Sequence, residues 1–409
     1  MAGTAPSGAA AATVSIACSA VGQELEICRA GVAAWEHRTG HRARLVSTPN
    51  SASERLALFQ QLLAARAPDI DVLQIDVVWP GILGSHLLDL GPRAGSEAAE
   101  HLPEVIANNT VGGRLVALPW FIDVPVLYYR RDLLEKYGAR VPHTWSELGR
   151  AAARIQQAER AAGDARIWGY VWQGRAYEGL TCNALEWVAS HGGGTIVTPE
   201  GRISIDNARA AQALAAAARW VGTISPKGVL NYSEEEARGV FQSGHAVFMR
   251  NWPYAWVLAQ GPDSPVRGRI GAAPLPAGEG GAAAATLGGA QLAVSRYSEH
   301  PALAADLVLF LTGPAEQRRR ALTGGYYPTR PRLYRDPEVQ AAHPIFATLV
   351  ESSRRLVLRP SAVTGQRYNR VSSAFWNTAH AVLSGQADAE TALHSLDRSL
   401  MRLSRGGRW

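Results

Sequence analysis

The chain has 409 residues, of which 47 % are hydrophobic and 19 % charged, with a formal charge of +6. This length exceeds the size at which one hydrophobic core keeps growing, so two lobes are expected, and no stretch approaches the ~18 apolar residues of a membrane span. Most basic residues stand singly on polar helix faces, and the longest run is residues 318–320. This pattern argues against nucleic acid as a partner.

The first segment, residues 1–12, is rich in Ala, Gly and Ser and has neither the basic nor the apolar region of a signal peptide. We therefore predict a disordered leader over residues 1–12 and, for an exported protein, a signal sequence absent from this chain. Residues 13–20 alternate as a strand does. A helical pattern follows from Glu24 to Thr39, and Gly40 is a natural C-terminal stop.

The next elements repeat this order of strand and helix. Residues 42–49 indicate a second strand, and Ser51 with Glu54 forms a capping box before an amphipathic helix. Residues 69–79 are rich in apolar residues, which fits a strand buried on both faces. Repeated strand and helix units predict an α/β protein with largely parallel sheets.

Further along the chain, short strands are predicted between capped helices and near a long loop. The strands cover residues 167–173 and 245–251, and the Gly- and Ala-rich residues 268–289 indicate a loop before a strand at 290–295. After Pro337 only helix and loop are expected. The helix starts are predicted from capping residues at Thr144 with Glu147, Asp206, Ser233 with Glu236, and Asp388.

Three cysteines, Cys18, Cys28 and Cys182, occur in the chain. None has the CxxC spacing of a zinc or redox site. Cys18 and Cys28 could form one bridge, but the sequence favours buried free thiols.

Enzyme signatures are absent from the sequence. It has no GxSxG elbow, no GxGxxG fingerprint, no phosphate-binding GxxxxGK[ST] loop and no HExxH motif. Neither a cofactor nor a metal is expected. Asp76 and Asp123 could nevertheless act as the acid and base of a glycoside hydrolase, and this alternative stays open.

Aromatic residues are placed in loops and at strand ends, beside carboxylates. A sugar presents an apolar C–H face and a rim of hydroxyl groups, so a sugar site needs aromatic plates next to carboxylates or amides. Core packing is the competing explanation for any single ring. The aromatic residues concerned are Trp79, Trp120, Phe121, Trp172, Tyr177, Trp252, Tyr254, Trp256, Tyr326 and Tyr327.

Six stretches resemble one known family in that family's order. They are PDIDVLQIDVVWPGILGSHLLDL, ALPWFIDVPVLYYRRDLLEKYG with VPHTWSEL, YEGLTCNALEWVASHGGG, FQSGHAVFMRNWPYAW, TLGGAQLAVS and YYPTRPRLYRDP. From about Val14 to its end the chain resembles the extracellular solute-binding proteins of carbohydrate ABC importers, of the trehalose- and maltose-binding type.

The resemblance implies a two-lobed clamp, the Venus-flytrap fold, with the ligand between the lobes. Three hinge crossings would fall near residues 122–126, 287–291 and 332–337. The N-lobe would comprise residues 13–122 plus 290–333, and the C-lobe residues 126–288 plus 337–409. Hinges of this kind are a few residues at the ends of elements.

The resemblance also implies a function without covalent chemistry. The protein would capture an α-linked disaccharide, trehalose or maltose, and deliver it to an ABC permease with an ATPase subunit. It would be monomeric and periplasmic, or lipid-anchored outside the inner membrane. A polyol or a glycosylated small molecule is the alternative ligand on the same fold.

Ten residues are implied to bind the ligand. Three follow strands of the N-lobe, two lie at the first hinge, and the others belong to a stacking platform, a glycine pair and a bridging arginine. They are Glu24, Ser47, Asp76, Phe121, Asp123, Trp252, Tyr254, Gly288, Gly289 and Arg359.

Two positions depart from the family pattern. Ala290 stands where many relatives have Trp after the glycine pair, and Phe121 where a relative's Tyr offers a hydroxyl. Both changes remove contacts to a ligand, so the sequence leaves the sugar open. A wider pocket is expected at Ala290, unless a neighbour such as Tyr327, Tyr368 or Trp376 fills the space.

Overall fold

The computed structural model describes residues 11–409. The leader predicted for residues 1–12 therefore lies outside the described residues, apart from its last two. The strands are β1 Thr13–Ser19, β2 Arg42–Thr48, β3 Val72–Asp76, β4 Thr110–Val111, β5 Arg114–Leu115, β6 Leu118–Asp123, β7 Val126–Arg130, β8 Trp168–Val171, β9 Ala246–Asn251, β10 Ile270–Ala273, β11 Ala285–Thr286, β12 Gly288–Val294 and β13 Leu356–Val357.

Helices cover the faces of the sheets. In chain order they are α1 Glu24–Thr39, α2 Ala52–Ala64, α3 Pro80–Leu83, α4 Gly91–Ala94, α5 Pro103–Asn108, α6 Arg131–Lys136, α7 Trp145–Ala161, α8 Glu178–Ser190, α9 Ala208–Ala218, α10 Glu234–Gln242, α11 Tyr254–Ala259, α12 Pro301–Thr312, α13 Pro314–Gly324, α14 Pro337–Ala342, α15 Ile345–Ser353, α16 Ser361–Thr364, α17 Tyr368–Leu383 and α18 Ala389–Leu403. Among the described residues, no helix combines the length and apolar composition that a membrane crossing needs.

Two sheets define two lobes, as predicted. The first sheet has the order β2-β1-β3-β12-β6 and the second β10-β7-β9-β8. β12 runs antiparallel to both of its neighbours, and so does β7, whereas the remaining pairings are parallel. Each sheet is therefore mostly parallel in strand direction, with one reversed strand in its interior.

Local sequence explains the start and end of α1 in the first lobe. Glu24 and Glu26 lie in its first turn, where acidic groups interact favourably with the helix dipole. Gly40 caps its end with a φ of 74°. Trp35 on its buried face donates a hydrogen bond to Asp306 of α12, 2.7 Å away. The helix is thereby fixed behind the strand that precedes it.

The core of the second lobe is built around α8, which is buried at almost every position. Tryptophan rings pack edge to face beside it, with Trp172 and Trp187 at 4.9 Å and Trp187 and Trp220 at 5.7 Å between ring centroids. Aromatic pairs in this geometry add stabilisation beyond the area they bury. The lobe is therefore a rigid support for residues at the start of α8.

Sheet membership suggests where the chain passes between lobes. β6 belongs to the first sheet and β7 to the second, with residues 124–125 between them. β12 joins the first sheet from Gly288 onward. We propose a first crossing at residues 124–125 and a second at Leu287.

The third crossing is proposed from contacts of α14. Arg318 of α13 pairs with Asp336 and Glu338, and the ring of His343 bonds to the Leu322 carbonyl. Residues 336–343 are thus held against the first lobe. We propose that the chain crosses between α14 and α15, later than the expected 332–337.

Several sequence predictions of local structure are confirmed. α1 spans Glu24–Thr39, and capping boxes are present at Thr144 and Ser233. Asp388 caps α18. The capping box predicted at Ser51 and Glu54 is present only in part, because Ser51 accepts from the Glu54 backbone while the Glu54 side chain pairs with Arg175.

Three of the sequence predictions of local structure were wrong. The segment predicted as a loop, residues 268–289, contains β10 and β11, because pairing with β7 and β13 overrides the low apolar bulk. β13 also contradicts the prediction that only helix and loop follow Pro337. Asn207, not Asp206, caps α9.

The prediction of free thiols at Cys18 and Cys28 was also wrong. Cys18 and Cys28 form a disulfide, and Cys182 is free and buried. The end of β1 and the second turn of α1 place the two Cα atoms 6.6 Å apart, within disulfide range. This proximity depends on how α1 packs on β1, which the spacing of the cysteines does not reveal.

Candidate ligand-binding cleft

A polar cavity lies between the two lobes, at the carboxyl ends of strands in the first sheet. Asp76 is the last residue of β3 and Asp123 the last of β6. Both flank β12, where Asp123 pairs with Gly288 and Asp76 with Ala290. Ligands of open α/β sheets bind in this place, outside the carboxyl ends of the strands.

The first-lobe wall of the cavity contains Glu24, which is half-buried, and Arg55, which is buried. Glu24 accepts a hydrogen bond from Nε2 of Gln74 at 2.5 Å. Burial raises the pKa of Glu24, and the nearby Arg55 guanidinium opposes that rise. The carboxyl group is thus positioned by a neighbour on β3 and partly neutralised by a cation on α2.

Asp123 is the most isolated carboxyl group of this wall. Its side chain is buried, and Oδ1 has no hydrogen-bond partner among the described residues. Burial raises the pKa of Asp123 well above its usual range, and Glu24 and Asp76 add to the rise. Such a group gains most from a ligand hydroxyl, because an unpaired buried polar group carries the full cost of its desolvation.

The second-lobe wall is organised around Arg359. Its guanidinium donates to Glu178 at 2.8 Å, to Asp76 at 3.1 Å and to the Leu287 carbonyl at 3.1 Å. Burial alone would lower the pKa of Arg359, but the carboxylates of Asp76 and Glu178 raise it, so the group stays charged. Arg359 therefore joins the two lobes across the cleft.

Trp252 and Tyr254 supply the aromatic part of the cavity. The guanidinium of Arg250 lies over the Trp252 ring, 4.1 Å from its centroid. Arg250 is itself held by a buried bidentate pair with Glu186, at 2.6 and 3.0 Å. The tyrosine hydroxyl donates to Glu235 at 2.7 Å. Both rings are thus fixed from behind and present their remaining surface to the cavity.

Close backbone approach requires glycine at two places beside these rings. A Cβ on Gly288 would lie 2.8 Å from the Trp252 ring. A Cβ on Gly22 would lie 2.4 Å from the Tyr254 ring, and the φ of Gly22 is +55°. Side chains at these positions would displace the aromatic wall.

The charges of the cavity restrict its ligands. Five carboxyl groups line it, Glu24, Asp76, Asp123, Glu178 and Glu234, against two guanidinium groups, Arg55 and Arg359. An anion would meet repulsion here, whereas a neutral molecule with many hydroxyl groups would find acceptors on both walls. In residues 11–409, no group of three or more His, Cys, Asp and Glu side chains is placed to hold a metal ion.

The cavity brings together most of the residues that the resemblance implied. Their part in binding remains a prediction. Those that line it are Glu24, Asp76, Asp123, Trp252, Tyr254, Gly288, Gly289 and Arg359.

Ser47 and Phe121 do not line the cavity. Ser47 is exposed on β2, whereas Asn50 beyond the strand reaches the cavity. Phe121 lies two residues inside β6, and its ring packs on Tyr326 at 4.7 Å between centroids. Depth within the strand places this ring in the core of the first lobe.

The wider pocket expected at Ala290 is not found. Ala290 is 5 % exposed and lies inside the sheet, paired with Asp76 on one side and Phe121 on the other. The cavity has a volume of about 80 Å³ and excludes this side chain from its lining. The side chain at position 290 therefore does not border the cavity.

Several cavity residues were missed by sequence reasoning. Glu178 has a visible signal, since it is a charged residue in a helix that is otherwise largely apolar. Glu234 follows the capping residue Ser233, which marked only a helix start. The remaining ones are Val21, Asn50, Ala52, Arg55, Gly179 and Cys182.

This fold and cleft define a solute-binding protein. The model of a bacterial extracellular solute-binding protein family matches residues 22–318, well over half of the chain. The chain therefore belongs to the bacterial extracellular solute-binding protein family.

Three relatives illustrate the likeness. A probable ABC transporter-binding protein of Deinococcus radiodurans is 49 % identical over 98 % of this chain and 96 % of its own. The maltodextrin-binding protein MdxE of Bacillus subtilis is 28 % identical over 59 % of this chain and 55 % of its own. The maltose-bound structure of T. maritima MalE3 is 38 % identical, covers 96 % of this chain and 100 % of its own, and has a TM-score of 0.91.

Proposed function

We propose that this protein captures an α-linked disaccharide, maltose or trehalose, outside the cytoplasmic membrane and delivers it to an ABC permease with its ATPase. The observation that carries the proposal is the cavity of carboxyl groups from both lobes, with Trp252 and Tyr254 beside them. Acceptors on two walls can bind several hydroxyl groups at once, and the rings can cover an apolar sugar face.

The relatives support this class of ligand and partner. T. maritima MalE3 is bound to maltose, and the D. radiodurans relative is named as an ABC transporter-binding protein. We extend both properties to this chain. We place it in the periplasm or tethered outside the inner membrane, as a monomer.

A polyol is the second candidate ligand, favoured by the size of the cavity. Its volume of about 80 Å³ is below the range of roughly 300–1,000 Å³ typical of ligand pockets. A disaccharide therefore needs the lobes to part and close around it. A small polyol needs less movement.

Isothermal titration calorimetry with maltose, trehalose, maltotriose and mannitol tests the proposal. We expect binding of maltose or trehalose with a Kd near 1 μM, about 8 kcal/mol, a strength that still permits release. Binding of mannitol but of neither disaccharide would establish the polyol alternative. Binding of none of the four would contradict a sugar receptor.

We also propose that the protein leaves its ligand unchanged, in contrast to a glycoside hydrolase using Asp76 and Asp123. Asp76 is engaged by Arg359 and its own loop, through the Val78 backbone at 3.1 Å. Incubation with maltose or trehalose should release no glucose. Release of glucose that is lost in Asp123→Asn would favour the hydrolase.

A further inference from the structure

A second, larger cavity adjoins the polar one. It has a volume of about 670 Å³, within the range of ligand pockets. We call it the apolar groove. Val77 and Val78 of the first lobe form one side, and the segment 355–363 with the loop 282–284 of the second lobe forms the other.

The apolar groove and the polar cavity are neighbours that share one side chain. Arg359 lines both cavities. Its guanidinium bonds Asp76, the last residue of β3, and Val77 and Val78 of the groove follow directly in the chain. A molecule held among the carboxyl groups could therefore reach the groove, within the interface between the lobes, where the contact between Arg359 and Asp76 opens.

The chemistry of the groove differs from that of the cavity beside it. Its lining is dominated by Val, Leu, Ala and Pro and contains no carboxyl group and no aromatic ring among the described residues. Sugar rings bind on aromatic plates with hydroxyl partners nearby, which this lining does not offer. Aliphatic chains need only apolar area.

Exposure of leucine marks the same place. Leu356 is 38 % and Leu358 61 % exposed, and both line the groove. Among the described residues, Met401 is the remaining large hydrophobic side chain with comparable exposure, at 45 %, and it lies on α18 outside the groove. Exposed apolar side chains that gather at a concave surface indicate a binding surface.

We propose that the natural ligand is a glycoside or sugar ester with an aliphatic substituent, whose sugar occupies the polar cavity and whose apolar chain occupies the apolar groove. The inference rests on the proposed function, because the sugar must be held among the carboxyl groups. It adds that the groove selects ligands by their apolar part.

A series of ligands with increasing chain length tests the inference. Calorimetry would compare maltose with methyl, hexyl and octyl maltosides of both anomers, and trehalose with its 6-O-acetyl, hexanoyl and octanoyl esters, all below their micelle concentrations. A fully buried methylene group increases affinity up to about fourfold. From the one- or two-carbon substituent to the eight-carbon one, we expect at least a tenfold gain in at least one series.

The double variant L356S/L358S locates the chain. Both side chains are exposed, so the substitutions should leave the fold intact, and Met401→Ser is the matched control. We expect L356S/L358S to remove most of the gain with chain length and to bind the parent disaccharide as the wild type does. Met401→Ser should retain the gain.

The possible failures are distinguishable. If the disaccharides bind but chain length adds nothing in any series, the groove does not bind the ligand and the inference is wrong, whereas the proposed function stands. A gain that persists unchanged in L356S/L358S places the chain elsewhere and also overturns the inference. If no probe and no parent sugar binds, the proposed function itself fails.

Discussion

The carboxyl group of Asp123 combines burial, an unpaired oxygen and the proximity of other acids. Its residue is 8 % exposed, and Glu24 and Asp76 add to the effect of burial on its pKa. A group in these surroundings is costly to the folded protein unless a hydrogen-bond partner arrives. We attribute to it a main part in holding a sugar hydroxyl.

Replacing Asp123 with alanine should therefore weaken sugar binding. The loss of a buried hydrogen bond costs about 1–3 kcal/mol, which is about a 5- to 150-fold rise in Kd. Calorimetry with the best disaccharide measures the change. Ser47→Ala is the matched control, because Ser47 is exposed and does not line the cavity, and an equal affinity of D123A and wild type would remove Asp123 from the site.

Stability should also depend on pH through Asp123. Because its folded pKa is raised above the ordinary 3.8, the folded state retains a proton that the unfolded chain has lost. The stabilisation is complete below the unfolded pKa and is lost as pH rises through the folded pKa.

In Asp123→Asn this loss is removed. The free energy of unfolding of D123N relative to wild type should therefore increase between pH 4.5 and pH 7, by about 1–3 kcal/mol, the usual cost of an unsatisfied buried group. Urea denaturation at both pH values measures it. A difference that stays constant with pH would contradict the raised pKa.

At the scale of elements, the connection from β1 to α1 is the clearest example of a structure that serves the cleft. The disulfide between Cys18 and Cys28 closes a segment that carries Val21 and Glu24, both of which line the cavity. Gly22 in the same segment makes the close contact with the Tyr254 ring. The bond restrains this wall of the cavity.

A double variant, C18S/C28S, should be less stable and bind sugar more weakly. Loss of a bridge across a segment of this length costs about 2–3 kcal/mol in the free energy of unfolding. Urea denaturation of wild type and variant measures the difference, and Cys182→Ser controls for thiol loss. Detection of three free thiols in the oxidised, unfolded wild type would show that the bridge does not form.

At the scale of the molecule, few polar contacts hold the lobes together across the cleft. Arg175 pairs with Glu54 at 2.7 Å, but both side chains are about half exposed, at 47 % and 52 %. Exposed ion pairs of this kind contribute about 0–1 kcal/mol. The buried contact of Arg359 with Asp76 carries more of the closure, and a sugar would add hydrogen bonds to both walls.

Ligand should consequently shift the population towards closed lobes. Small-angle X-ray scattering at saturating maltose or trehalose should give a smaller radius of gyration than without sugar. The variant D123A at the same sugar concentration serves as the comparison and should shrink less. An unchanged radius in saturated wild type would indicate a rigid cleft.

The sequence alone determined the α/β architecture and the ends of several helices. Hydrophobic periodicity and caps such as Thr144 with Glu147 and Gly40 act within one or two turns, so they can be identified without knowledge of the fold. Resemblance to a family supplied half of the cavity residues, including Asp123 and Arg359. These residues lie in motifs that can be identified from a single sequence.

Only the tertiary structure decided which side chains share the cleft. Phe121 and Ala290 are buried within the first lobe. Glu178 lies on a helix of the second lobe and bonds to Arg359, which is far from it in the sequence. The Cys18–Cys28 bridge likewise required α1 to pack on β1. Contacts between residues far apart in sequence arise from the packing of whole elements. No local sequence pattern determines the distance between the two lobes.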